Sequence, residues 1–287
     1  MTPLQSFARN SGTTPICVLT IAGSDSSAGA GIQADARTIQ ALGGYALTAV
    51  TAVTAQNARG VVVWRKVPAG LIAAQIEAVL KDFPVAAIKT GLLPGADAVR
   101  AVAKALKRHA RIPLVVDPIV SSTSGTRFLS SVGVKALKKE LFPRAMLVTP
   151  NWLEAAELSG KKVLTDVEAA AAARFLAKEY GCAVLVKGGH APGDRCHDCL
   201  ATADGRVRWF SGSRIITKNT HGTGCVLSSA ITLRLARGDT IEDAVASARR
   251  FLSRSLAAGR RIRWGRGNGP AFAGNFRTTR SRSRPQT

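Results

Sequence analysis

The chain has 287 residues and carries 40 Lys and Arg against 18 Asp and Glu, a formal charge of +22. Its 46% apolar and 5% aromatic content excludes a disordered polymer and a collagen-like repeat, and no apolar run reaches the roughly 18 residues that span a bilayer. Five cysteines, an odd number spread widely, do not read as a disulfide framework.

Residues 1–14 hold one Arg and no apolar segment. They read as a short extension without a secretory or transit signal, so a cytoplasmic location is expected. Apolar runs of strand length follow at 16–22, 46–53, 61–63, 85–88, 114–116, 146–148 and 183–186, and their continuity predicts strands buried on both faces. Between most of them the apolar residues recur at helical spacing. Ile32, Ala36, Ile39 and Leu42 make one such stripe, stopped by Gly43 and Gly44, and others cover 71–80, 98–106, 132–141, 151–158 and 167–180. Strands alternating with helices predict a parallel sheet with helices on its faces. Beyond Lys187 the pattern changes, because 198–203 and 206–210 flank Asp204-Gly205 as a hairpin would. Two helices close the fold, one over 222–235 and one carrying Ile241, Val245, Ala248, Leu252 and Leu256 on a single stripe. A single folded domain over 15–270 is therefore expected, followed by a basic tail over 271–287 whose residues 278–287 are predicted to be disordered. No acidic residue follows Asp243, whereas eleven arginines lie between Arg249 and Arg284. The residues up to 243 still hold 29 basic side chains against 18 acidic ones, which suits an anionic ligand such as a nucleotide phosphate and suits nucleic acid equally well.

Several strings carry chemistry. Gly29-Ala30-Gly31-Ile32-Gln33-Ala34 fits a dinucleotide-binding pattern, but Gly23 to Ala28 separate it from the strand and no acidic residue lies between Asp35 and Glu77 to take a ribose hydroxyl. A phosphate-binding P-loop string is absent. Thr220-His221-Gly222-Thr223-Gly224-Cys225 leads straight into an apolar helix, so its backbone N–H groups can face an anion with the helix dipole behind them. A thiol at that helix start is expected to have a lowered pKa; a buried structural Cys fits the string equally well. Asp117 ends one apolar strand, and Asn151 and Glu154 open a helix just past another, which puts both acids at the carboxyl edge of a parallel sheet. There they could serve Mg²⁺ bound to a nucleotide, or act as an ordinary salt-bridge or capping residue. Cys196 and Cys199 have metal-like spacing without a second pair and are expected in an exposed loop. His190 and His221 stand in Gly-containing loops and could contact phosphate or be bland loop residues.

Taken in order, AGSDSSAGAGIQAD (22–35), TAVTAQNARGV (51–61), IKTGLL (88–93), VVDPIVSSTSG (115–125), TPNWLEAAEL (149–158), VKGGH (186–190) and KNTHGTGC (218–225) resemble the hydroxymethylpyrimidine/phosphomethylpyrimidine kinases of thiamine biosynthesis, from about Ile16 to Pro270. The resemblance implies a ribokinase-like three-layer α/β/α sandwich with a mostly parallel central sheet. It also implies ATP, Mg²⁺ and two successive phosphorylations of 4-amino-5-hydroxymethyl-2-methylpyrimidine. By position, Gln56 resembles the residue that pairs with the pyrimidine edge, Gly23 and Asp35 line that pocket, and Leu92 lies where Met often meets the ring. Asp117 and Glu154 would serve Mg·ATP, and Lys187, Thr220 and Thr223 the nucleotide phosphates. Gly222 and Gly224 would form the anion hole, with Cys225 as the base. Ser26 and Ala28 stand where Pro and Gly are usual, Val120 where Met is frequent, and Thr123 where some members have Lys. Two alternatives are a pyridoxal or pyridoxine kinase on the same scaffold and a nucleic-acid-binding protein that uses the basic tail. A homodimer and no membrane contact complete the expectations.

Overall fold

A computed structural model describes residues 15–122, 125–189 and 193–271. Its strands are β1 (Cys17–Asp25), β2 (Tyr45–Asn57), β3 (Gly60–Lys66), β4 (Val85–Thr90), β5 (Leu114–Val116), β6 (Leu147–Val148), β7 (Ala183–Val186), β8 (Arg195–Ala201) and β9 (Val207–Ser213). Its helices are α1 (Gly31–Ala41), α2 (Ala69–Asp82), α3 (Ala96–Leu106), α4 (Ser131–Glu140), α5 (Trp152–Ser159), α6 (Asp166–Tyr180), α7 (Thr223–Ala236) and α8 (Ile241–Gly259). The strands form one sheet in the order β3-β2-β1-β4-β5-β6-β7-β8-β9. From β2 to β7 every pair is parallel, while β3, β8 and β9 are antiparallel to their neighbours.

The expected three layers are present. On one face α2 to α6 pack Ile72, Val99, Leu137, Ala155 and Ala173 against the sheet. On the other, α1, α7 and α8 bring in Ile39, Ile231, Leu233 and Val245. Local sequence explains several boundaries. Asn151 with Glu154 and Thr165 with Glu168 form capping boxes at the starts of α5 and α6, and Gly160 and Gly181 end those helices in the left-handed conformation. Helix α7 has ten of its 14 residues buried, so the surrounding core fixes where its N-terminus points.

Three expectations need correction. The run at 61–63 is not buried on both faces: Val62 is 75% exposed, because β3 is an edge strand with a neighbour on one side only. Only Ala58 and Arg59 join β2 to β3, far too few residues for a parallel crossover, so the pair is a hairpin rather than a strand-helix-strand unit. Cys196 and Cys199 lie within β8, not in an exposed loop; Cys199 is fully buried, and the five cysteines are all free thiols. The basic tail from residue 272, His190 and Thr123 lie outside the described residues.

Candidate active site

The carboxyl ends of β1, β4, β5, β6 and β7 open on a cleft of about 380 Å³ whose opposite wall is the start of α7. Parallel sheets bind ligands along this edge, because there the connecting loops diverge. A second, shallower groove runs between α6 and the β8–β9 hairpin, with Asp166 and His197 paired at 2.7 Å. None of the motif residues reaches it.

Gly222 caps α7 in the left-handed conformation, φ 76°, and no side chain caps the helix, so its first-turn N–H groups face the cleft. A Cβ at Gly222 would stand 2.0 Å from Gly29 O, and one at Gly31 (φ 60°) would stand 2.3 Å from Gly23 O. The glycines of 29–31 therefore serve the close approach of two loops, which explains a dinucleotide-like string without a dinucleotide site. Ala28 lies beside them at φ 58°, the only described non-glycine residue with positive φ. It holds the strained position where glycine is usual.

Asp117, just beyond β5, accepts hydrogen bonds from Lys187 Nζ at 2.7 Å, Thr149 Oγ1 at 3.0 Å and Ser228 Oγ at 3.2 Å. Burial works to raise its pKa, but Lys187 and Lys89 outweigh this and hold it below the usual carboxylate range. Glu154 behaves oppositely. It is 7% exposed and pushed up to about 7, chiefly by burial and then by Asp117, with Lys187 working the other way. One oxygen of Glu154 accepts the Asn151 N–H at 2.8 Å, so the residue is at once a capping residue and a wall of the cleft. No group of three or more His, Cys, Asp or Glu able to hold a metal occurs among the described residues. The two hard carboxylates thus fit a divalent ion that brings its remaining oxygen ligands with it, as phosphates and water.

Gln56, Gly23, Thr54 and Leu92 line the same cleft. A Cβ at Gly23 would meet Leu92 Cδ2 at 2.9 Å, so the glycine lets Leu92 lie flat against the β1 backbone. Ser26 Oγ both donates to Gln56 O and accepts from Gln56 N at 2.8 Å, two bonds that the usual proline could not make. Nε2 of His221 is 2.8 Å from Asp25 Oδ2 and 3.1 Å from Gln56 Nε2. Burial works to raise the Asp25 pKa, but bonds from His221, Ser27 and Ala30 hold it low. A charged carboxylate takes the Nε2 hydrogen, and His221 then has no lone pair there for Gln56.

Two expectations fail. Asp35 does not line the cleft: it is fully buried on α1 with Lys89, Thr20 and Ser229 around it. The Cys225 thiol is not depressed. It is 5% exposed, and burial pushes it up to about 12, with Lys89 opposing and Asp35 and Asp117 adding. The dipole of one helix end is a partial charge, and removing a thiolate from water costs more than that charge returns. Lys187, Thr220, Thr223, Gly224 and Cys225 all reach the cleft as expected. Asp25 and Lys89 lie within two of the family-like strings, 22–35 and 88–93, but neither is singled out as a site residue. Asp25 could have been found as the first charged residue after the apolar run at 16–22.

Comparison with known proteins agrees with this geometry. The family profile described as Phosphomethylpyrimidine kinase matches residues 25–272. A hydroxymethylpyrimidine/phosphomethylpyrimidine kinase of Rhizobium meliloti is 44% identical over 253 residues, 88% of this chain and 94% of that protein. The crystal structure of a phosphomethylpyrimidine kinase from Clostridium difficile superposes with a TM-score of 0.74 at 36% identity, covering 84% of this chain and 99% of that one. An ADP complex of Bacillus subtilis pyridoxal kinase gives a TM-score of 0.78 at 32% identity, covering 85% and 92%.

Proposed function

The chain belongs to the phosphomethylpyrimidine kinase family, and on that premise we propose that its 15–270 domain phosphorylates 4-amino-5-hydroxymethyl-2-methylpyrimidine and then its monophosphate, with ATP as donor. The observation that carries this reading is that one cleft joins an uncapped helix start, an acid–lysine pair and an amide-lined pocket. The pyrimidine lies against Gln56, Gly23 and Leu92. The triphosphate meets Lys187, Thr220, Thr223 and the α7 amides. Asp117 and Glu154 hold Mg²⁺, which neutralises phosphate charge when it is bound.

In the first step the hydroxymethyl oxygen bonds to the γ-phosphorus as the bond to the bridging oxygen breaks, and ADP leaves with the electron pair. The hydroxyl proton passes to the thiolate of Cys225. The N–H groups of Gly222 and Gly224 face the transferring oxygens, where a preorganised donor needs no rearrangement as charge develops. In the second step the nucleophile is a phosphate oxygen. Its second pKa is about 6, so it arrives already ionised and needs no base.

Glu154 supplies a pH test. A carboxyl held up to about 7 is largely protonated below that pH and must lose its proton before it can serve a cation. Acidification should therefore weaken Mg²⁺, by up to about tenfold per pH unit below 7. Magnesium titrations of turnover at about pH 6 and pH 8 measure this, and equal midpoints would place Glu154 outside the metal site.

Gln56 separates the pyrimidine from pyridoxal. With Nε2 of His221 committed to Asp25, the Gln56 amide can offer a donor and an acceptor on one plane. An aminopyrimidine edge matches both, whereas pyridoxal has no amino group beside its ring nitrogen. Assays with ATP against hydroxymethylpyrimidine, its monophosphate and pyridoxal test the reading. Gln56→Leu should weaken pyrimidine use by about ten- to a hundredfold and pyridoxal use much less. Equal losses would make Gln56 a packing residue, and faster turnover of pyridoxal in the wild type would favour the B6 kinase.

A further inference from the structure

Beneath the first turn of α7 lies a cation that the chemistry above does not use. Lys89, on β4, is fully buried, and its Nζ donates to both oxygens of Asp35 at 2.8 Å. Thr20 Oγ1 at 2.5 Å and Ser229 Oγ at 2.7 Å donate to the same carboxylate. Exchanging a buried ion pair for apolar side chains is often neutral or stabilising, so fold stability alone does not account for this one.

Its place relative to α7 does. Ser229 follows Cys225 by four residues, so the two side chains share a helix face one turn apart. The hydroxyl that touches Asp35 therefore sets Cys225 one turn above the Asp35–Lys89 pair. The first residue of the helix that carries Asp35, Gly31, lines the same cleft as Cys225. On the adjacent face Ser228, four residues beyond Gly224, has its Oγ 2.9 Å from Gly224 O and 3.2 Å from Asp117, the partner of Lys187, and shares one hydrogen between them. Two consecutive serines thus seat the anion hole and the thiol on two buried lysine–aspartate pairs.

We propose that Lys89 is a positioning residue for phosphoryl transfer, the cation that acts with Asp35 and Ser229 to hold the Cys225 thiol in place and to stabilise its thiolate. The charged groups around the sulfur come from four segments: Lys89 on β4, Asp35 on α1, Asp117 beyond β5 and Lys187 beyond β7. Lys89 favours the thiolate, and Asp35 and Asp117 oppose it. This role deepens the kinase reading and rests on it, but its test needs neither ATP nor substrate.

Peptide-resolved alkylation of Cys225 by iodoacetamide, followed from about pH 7 to pH 10, reports the thiolate fraction. Lys89→Met should slow alkylation at a given pH by about tenfold or more, the effect of one pKa unit. Asp35→Asn leaves the cation without its counter-charge and should speed alkylation by about tenfold. The double variant Lys89→Met/Asp35→Leu removes both charges and should return to within about threefold of wild type. Structural damage would instead expose the thiol and speed alkylation in both single variants, and that result would overturn the proposal. So would an unchanged rate in Lys89→Met. If Lys89→Met does not fold, Asp35→Asn, which keeps the cation, must still react more than about threefold faster than the double variant, which lacks it, and equal rates overturn the proposal.

Discussion

Replacing Cys225 by alanine should lower the turnover of hydroxymethylpyrimidine by about 10²- to 10⁴-fold, the loss typical of a missing general base. Substrate affinity should hardly change, because Gln56, Gly23 and Leu92, and not the thiol, hold the ring. The monophosphate should suffer far less, since its attacking oxygen carries no proton to remove. This split distinguishes a base from a group that merely shapes the helix start, whose loss would slow both steps alike. Burial of the thiol adds a second signature. Burial pushes its pKa up to about 12, so only a small fraction is thiolate near neutrality. The fraction grows tenfold per pH unit, so the first step should accelerate with pH and show no plateau below about pH 10. A flat profile with a loss under about tenfold would mean that positioning and the anion hole carry the transfer.

What could be foreseen from the chain, and what could not, divides along physical lines. The elements from β4 to α6 follow from apolar runs and 3.6-residue stripes because each reports its own surroundings. The carboxyl-edge residues were legible for a related reason, as Asp117 and Lys187 follow apolar runs and Glu154 opens the helix just past another. Lys89 was not. The apolar run at 85–88 stops just before it, and its partners Asp35 and Ser229 lie 54 residues before it and on α7, far along the chain. Such a contact exists only after α1, β4 and α7 have packed. Asp35 misled for the same reason, because a motif gives an acid a position in sequence but not a direction in space. The thiol pKa was misjudged because helix starts are visible in sequence and depth of burial is not.

Asp117→Asn is expected to have two separable effects, each tied to a different neighbour. Asp117 is the closest partner of Lys187, and breaking a buried ion pair by removing one member costs about 3–5 kcal/mol. Glu154 limits that cost. It stands near both groups, and without the Asp117 charge beside it the Glu154 carboxyl should ionise more readily and take over part of the pairing. Thermal melting should therefore fall by ~5–15 °C, toward the lower figure where Glu154 compensates. The catalytic effect has no such substitute. A neutral amide cannot hold a hard cation as a carboxylate does, and losing one preorganised electrostatic group lowers kcat by about 10²- to 10³-fold. The residual activity should need more Mg²⁺ than wild type, and the acid sensitivity of its Mg²⁺ response should move to lower pH, because Glu154 loses the Asp117 charge that adds to the effect of burial. A lower melting temperature with a wild-type Mg²⁺ midpoint would assign Asp117 to the framework under α7 and leave the metal to Glu154 alone.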